Sequence, residues 1–444
     1  MTLEPFLMSK CWRLIGLTGV VLCLLSVCAR AGDWPHWRGP NRDDRVDEDS
    51  GWDARAWPLR DPAWKANVGA GGSSPLVAGG RVYALGWKDG QDIVVCLDVS
   101  TGHSLWSRSY TCPEHARHAM GDESLYSGPT STPEYDAETG FLYTLSCDGD
   151  LHCWNTRDQG RKVWGINLYQ QYAVPRRPKF GRSSQRDYGY TTAPLLSGDW
   201  IIVEVGDDEG NLMAFSRRTG ERAWVSEFKG PAGHTGGIVP LQIEGVSCVA
   251  VLTYEGLHVA RLDPPNVGRT VALYPWGTEY ANNVATPVVH GNDVLITAAY
   301  NHVAICKLHL TLEGATKVWE QPFASKICSP IIDRGRIYWT WQKLHCLDLE
   351  TGKQLWEGGE FGDAGSCIKT SDDRLIVWGY HGRLALVETA VRAPVKYQEL
   401  ARLDRVFSAD VWPHVVLANG QLLCKDRQGN VKCFYLRPSD SVKK

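Results

Sequence analysis

Short apolar runs bounded by polar turns recur along the whole chain. Arg81-Val82-Tyr83-Ala84-Leu85 and Arg336-Ile337-Tyr338-Trp339 are strand-length runs without the spacing of an amphipathic helix. The pair small-small followed by proline introduces such runs at Ser73-Ser74-Pro75, Ser131-Thr132-Pro133, Thr192-Ala193-Pro194, Ala285-Thr286-Pro287 and Cys328-Ser329-Pro330. Pro413 opens a looser copy, and degenerate copies lie near Ile238–Pro240 and Ser366–Ile368, which makes eight units.

Each unit continues alike. A polar hairpin turn, such as Asp148-Gly149-Asp150 or Gln428-Gly429, leads to a third strand holding a small residue and then Leu-Asp, as in Cys96-Leu97-Asp98 and Cys346-Leu347-Asp348. A Thr-Gly turn and a tryptophan follow: Thr101-Gly102 before Trp106, Thr219-Gly220 before Trp224, and Thr351-Gly352 before Trp356, with Trp164 and Trp319 in variant copies. Four strands in about 40–50 residues is the arithmetic of a propeller blade. The pattern therefore predicts an all-β, eight-bladed propeller over residues 63–439, with four-stranded antiparallel blades. Its tryptophans cover the seams between blades. Trp64, in Ala63–Val68, has no unit before it, while the last unit ends near Leu436 without a tryptophan. Those two pieces are expected to complete one blade and so close the ring.

Residues 1–31 read as a secretory signal. Lys10 and Arg13 precede an uncharged apolar run from Leu14 to Cys28, and Ala29-Arg30-Ala31 is a small-x-small cleavage site. Glu4 is out of place in a basic leader, so Met8 is an alternative start. Lipidation of Cys28 is disfavoured because Val27 is large for such a site. Residues 32–62 form a leader expected to pack on the propeller, and residues 440–444 a tail. Past the signal, no segment is apolar enough to span a membrane. The location expected is the periplasm or cell envelope, and the state monomeric.

Composition adds less. With 47 basic and 50 acidic residues, a nucleic-acid protein working by bulk positive charge is excluded. The abundance of Gly (45), Pro (23) and Trp (19) is absorbed by turns, strand starts and seams. Fourteen cysteines, three of them in the signal, leave an odd number behind. Cys96, Cys153, Cys306, Cys346 and Cys433 share one position of the third strand with Ala214 and Ala385, which points to a small packing slot. Taking Gln428-Gly429 as a two-residue turn sets Cys424 opposite Cys433, a candidate cross-strand disulfide.

The Asp-x-x-Thr-Gly-x-x-x-Trp segments resemble the tryptophan-docking motif of the pyrroloquinoline-quinone (PQQ)-type β-propellers. Asp33-Trp34-Pro35-His36-Trp37-Arg38-Gly39-Pro40-Asn41-Arg42, Tyr274-Pro275-Trp276 and His345–Lys353 are similar to secreted bacterial members of that family. The resemblance implies the fold over about residues 33–439. Its branches include the quinoprotein alcohol dehydrogenases and BamB, a non-catalytic propeller that scaffolds outer-membrane protein assembly. The dehydrogenase branch implies an adjacent Cys-Cys pair, a Ca²⁺ site of Glu, Asn and Asp, a catalytic Asp and often Cys-x-x-Cys-His. This chain has neither cysteine motif, and its sequence singles out no Ca²⁺ triad or base. The expectation is a non-catalytic binding or scaffolding module with an envelope protein partner. PQQ and calcium enter only under the alternative of a quinone-dependent oxidoreductase, and glycan binding is a third possibility.

Three segments invite chemistry. Cys112, His115 and His118, with Glu114, have zinc-like spacing but no clear fourth ligand, and a solvated loop is favoured. Gly206–Asn211 falls where a hairpin belongs and lacks Ca²⁺-loop spacing. Gly69–Gly72 is followed by neither a helix nor Lys-Ser/Thr and is no phosphate loop. The insertion from Tyr169 to Tyr190 is distinctive. It carries Arg176, Arg177, Lys179, Arg182 and Arg186 interleaved with Tyr188, Tyr190 and other aromatics. It reads either as a border of the binding face that grips an anionic ligand or partner, or as a solvated connection.

Overall fold

In a computed structural model, residues 32–436 are described except 55, 59–60, 114–127, 175–178, 181–182, 185–187 and 279–281. The signal, the tail and Cys28 lie outside the described residues. Eight antiparallel sheets follow one another along the chain, at residues 76–111, 134–167, 195–225, 239–275, 288–321, 331–362, 365–403 and 416–435. We number them blades 1 to 8. Blade 6 has three strands because one long strand, Arg336–Asp348, passes through Gln342 at φ 60 and supplies both middle positions.

Blade 8 takes its outermost strand from the other end of the chain. Trp64–Asn67 pairs with the strand Asn430–Tyr435, Trp64 opposite Cys433. The last blade is thereby completed to four strands by the first strand of the chain.

The prolines stand just before the innermost strands, which begin at Leu76, Glu134, Leu195, Val288 and Ile331. The tryptophans act one blade further on. Trp64, Trp106, Trp164 and Trp319 lie so close to Gly102, Gly160, Gly220 and Gly352 of the next blade that an added Cβ would sit 2.5–2.9 Å from the indole carbons. Only glycine permits that approach, and all four turns have positive φ. Three indole N–H groups also donate across the seam: Trp64 to Val99 O at 2.9 Å, Trp164 to Arg217 O at 3.1 Å and Trp319 to Leu349 O at 3.1 Å. Asp98 shapes the first of these turns, accepting from Thr101 N and Oγ1, both at 2.9 Å.

The shared third-strand position is explained by its neighbours. Cys96, Cys153, Ala214, Cys346 and Cys433 stand directly opposite Trp106, Trp164, Trp224, Trp356 and Trp64. In blades 1, 2 and 6 a tyrosine faces the same cysteine from the other side: Tyr83, Tyr143 and Tyr338. A thiol or methyl is all that fits between two large rings.

The candidate Cys424–Cys433 disulfide needs correction. The hairpin loop is longer than two residues, with Asp426 N donating to Asn430 O at 3.0 Å and Gly429 N to Asp426 O at 3.1 Å. Register moves by one residue, so Cys424 faces Lys432 and Cys433 faces Leu423. Both are buried free thiols. A one-residue slip turns every side chain to the other face.

Two histidines are buried against aromatic rings. His152 packs on Tyr110 at 4.5 Å, and His258 on Phe228 at 4.7 Å. Burial pushes His152 down to about 4 and His258 to about 3. The unfolded chain therefore takes up these protons first. Their stabilisation is intact above the unfolded value near 6.5 and is lost as pH falls towards the folded values, by about 2 kcal/mol each at pH 5. Asp92, pushed up to about 7 by burial, acts with the opposite sign in the same window. The informative quantity is therefore a difference. Urea unfolding at pH 7.5 and pH 5 should show a smaller acid loss for His258→Leu than for wild type, by about that amount. Equal losses would refute the assignment.

Candidate functional site

The leader crosses one end of the ring axis. Trp34 forms a two-way bridge with Val77 of blade 1, and Pro35 O accepts from Tyr135 N of blade 2. Trp37 Nε1 donates to Thr286 Oγ1 ahead of blade 5 at 2.9 Å, and its ring packs edge-on against His414. Arg38, fully buried, donates to Asp44 at 2.5 Å and to Pro330 O ahead of blade 6 at 2.7 Å. Asp44 also meets His414 Nε2 at 3.1 Å. Arg42 and His36 hold the buried Glu134 carboxylate of blade 2; burial alone would raise its pKa, but the Arg42 charge and the contacts with both side chains bring it below the usual range. Further along, Val46 N donates to Lys369 O of blade 7, and the Glu48 carboxylate takes Asn419 N and Gly420 N of blade 8. One segment thus ties six blades together by hydrogen bonds, with Trp37 at its centre.

On the far side of Trp37 a funnel opens. Trp37 is its floor, and its wall comes from successive blades and the segments that lead into them: Gly72, Thr130 and Thr132, then Tyr188 and Thr191, then His234, Thr235 and Gly236, then Asn282 and Val284, together with Tyr300, Ile327 and Trp412. The cavity itself is small, about 90 Å³, and is partly open to solvent. Gly71 and Gly72 belong here because the inner strands crowd: at Gly71, a Cβ would sit 2.6 Å from Pro129 O.

The wall is rigid. His234-Thr235 and Asn282-Asn283 pair as a short parallel ladder between blades. Thr191 and Thr235 exchange two hydrogen bonds, at 2.9 and 3.1 Å. Behind them the buried Glu204 accepts from Thr192 and Thr235 hydroxyls and from Asn211. His234 Nε2 accepts from Tyr188 N at 3.2 Å while its Nδ1 is 2.8 Å from Asn282 Oδ1. With both ring nitrogens engaged, this imidazole is poorly placed to move protons for a substrate.

The described lining offers aromatic faces and hydroxyls. It has no Asp, Glu, Lys or Arg and no cysteine pair. PQQ carries three carboxylates and would find no cation among these residues, and Ca²⁺ would find no carboxylate. The described lining does not fit that pair of ligands.

The Tyr169–Tyr190 insertion is split by the structure. Tyr188 lines the funnel, and Tyr190 is buried, its hydroxyl donating to Val205 O at 3.0 Å. Arg176, Arg177, Arg182 and Arg186 lie outside the described residues. Lys179 is placed only in its backbone, opposite Ser184. Gly206–Asn211 is the hairpin of blade 3. Of the zinc-like group, Glu114, His115 and His118 are outside the described residues. Cys112 is fully buried beside Cys147, and the hydrogen bond with that thiol, with burial, pushes its pKa far up. Sequence reasoning missed Trp37, Tyr300 and Trp412 as funnel residues. Their signal was position: Trp37 lies in the leader, Trp412 in the loop before the inner strand of blade 8, and Tyr300 in the hairpin between the second and third strands of blade 5.

Over residues 91–358, more than half the chain, the sequence matches the profile of the family described as outer membrane protein assembly factor BamB. No curated protein sequence matches. Among solved structures, BamB from Moraxella catarrhalis aligns with a TM-score of 0.58 at 14% identity, covering 85% of this chain and 100% of that one. Quinohemoprotein alcohol dehydrogenase from Comamonas testosteroni aligns with a TM-score of 0.61 at 12% identity, covering 93% and 81%. The computationally designed Ika8 protein gives 0.53 at 11%, covering 84% and 99%. At such identities the likeness is one of fold.

Proposed function

Since the chain belongs to the outer membrane protein assembly factor BamB family of PQQ-type repeat propellers, we propose that it is an exported, non-catalytic binding module that holds an envelope protein partner at its funnel. The observation that carries this reading is the lining: four aromatic side chains and a ring of hydroxyls, closed below by Trp37. Such a surface takes apolar and aromatic side chains and hydrogen-bonds the backbone that carries them. It presents neither a nucleophile activated by a base nor charged groups for a small anionic cofactor. Among the described residues no helix is long and apolar enough to cross a membrane.

A photo-crosslinking side chain placed at Trp412 or Tyr188 tests this in cells. One defined envelope protein should be captured there and not from Leu105, which is half exposed on an outermost strand. Equal capture at all three positions would refute a funnel partner. The oxidoreductase alternative has its own check. Purified protein given PQQ, Ca²⁺ and an alcohol should reduce no dye, and turnover would replace the binding reading with a catalytic one.

A further inference from the structure

Between blades 1 and 2, away from the funnel lining, three side chains able to ligate a metal meet in the interior, with a fourth beside them. Cys112 follows the outermost strand of blade 1, and Cys147 and Asp148 form the hairpin turn of blade 2. The Cys112 and Cys147 sulfurs are 4.0 Å apart, and Cys112 Sγ is 3.4 Å from Asp148 Oδ2. One donor atom from each of the three residues falls within 4.8 Å of the others, and all three are buried. Asp92, with no exposed surface, stands alongside. Its Oδ2 accepts from Tyr110 at 3.2 Å, while its Oδ1 has no hydrogen-bond partner among the described residues. Its carboxyl faces Cys112, Ser146 and Asp148.

The surroundings are otherwise fixed. Trp87 donates to Cys112 O at 2.9 Å, Tyr190 N to Cys147 O at 3.2 Å, and Asp148 N to Ser146 Oγ at 3.0 Å. These contacts fix the backbone around the cluster, and Ser146 Oγ lies 3.5 Å from Cys112 Sγ. Two thiolates on one tetrahedral zinc lie about 3.8 Å apart, and a thiolate and a carboxylate oxygen about 3.5 Å. The spacing here is close to both. A disulfide needs about 2.05 Å, half the distance present. Two thiols and a carboxylate oxygen in a buried cluster are a donor set for zinc rather than for calcium or magnesium, and Asp92 beside Cys112 and Asp148 is placed to become the fourth ligand. Tyr110, holding one oxygen of Asp92, supplies the outer-shell contact that orients a metal-binding carboxylate.

We propose that Cys112, Cys147, Asp148 and Asp92 form a buried zinc site that pins blade 1 to blade 2. It rests on none of the funnel residues, so its failure would leave the binding reading untouched.

The test is metal content of the full chain, purified without chelator and titrated with zinc alone. One zinc per chain is expected, with strong loss in Cys112→Ser and Cys147→Ser and at least tenfold weaker binding in Asp148→Asn. Cys424→Ser, a buried thiol in blade 8, should keep full stoichiometry. Cobalt in place of zinc should give a near-ultraviolet thiolate-to-metal band that Cys112→Ser abolishes. Where a serine variant fails to fold, alkylation of wild type decides: Cys112 and Cys147 should be protected with zinc and labelled after chelation. A metal-free protein with both thiols labelled regardless of zinc, or a Cys112–Cys147 disulfide in a non-reduced peptide map, would overturn the site.

Discussion

Asp44→Ala is expected to destabilise the protein by about 3–5 kcal/mol, the usual consequence of removing one partner from a buried ion pair. Arg38 has 1% of its surface exposed, and Asp44 is its charged partner at 2.5 Å. Without that carboxylate, the guanidinium keeps Pro330 O while its positive charge stays in the interior. His414 loses its carboxylate contact as well. The control is replacement of both partners. Arg38→Met with Asp44→Leu removes the charges together and should recover most of the loss. Urea unfolding of the two single variants and the double variant is the measurement. A double variant as unstable as Asp44→Ala would show that shape at the axis matters more than charge.

The second large effect is expected at the seam that closes the ring. Trp64→Ala should cost about 3–5 kcal/mol, as for other buried aromatic truncations, because its ring covers Gly102 and its N–H bonds Val99 O. Trp319→Ala removes an equivalent but less buried ring from an internal seam and should cost roughly 2 kcal/mol. Gly102→Ala attacks the same contact from the other side. Its φ is +70, and the new methyl would sit 2.5 Å from Trp64 Cε3. If ring and turn act as one unit, the two changes will not add: in Trp64→Ala the space for the methyl already exists. Additive losses would mean that Gly102 matters only for its own backbone.

Most of the architecture was legible because a propeller repeats one local solution. The proline before five of the inner strands, the small residue opposite the tryptophan and the Thr-Gly turn each mark a fixed place in a blade, so position in the motif gave position in space. Even ring closure followed, from one unmatched strand at Trp64. Misreading began where a turn had to be counted. Asp426 accepts from Asn430 N and Asn430 Nδ2, both at 2.9 Å, which widens the last hairpin. An aspartate opening a Gly-Asn turn is the cue that two residues were too few. The funnel was harder to see. Its residues come from seven blades or their loops and from the leader, and spacing along the chain carries little information about what meets at an axis. Cys112 was noticed for its neighbours in sequence, yet its contacts in the fold, Cys147 and Asp148, lie in the hairpin of the next blade.

Closure by the first strand also sets an order of events. Asn67 and Asn430, joined by a side-chain hydrogen bond, are 363 residues apart. The residues made first therefore wait, with a bare strand edge and an apolar tryptophan, until the last hairpin exists. Bringing ends together over so long a loop is slow compared with forming any one blade. Until then the chain is an open arc with two sticky edges, able to pair with a second copy as readily as with itself. Assembly yield should therefore fall with protein concentration during refolding, while in the finished ring the two ends of the chain are held in one sheet.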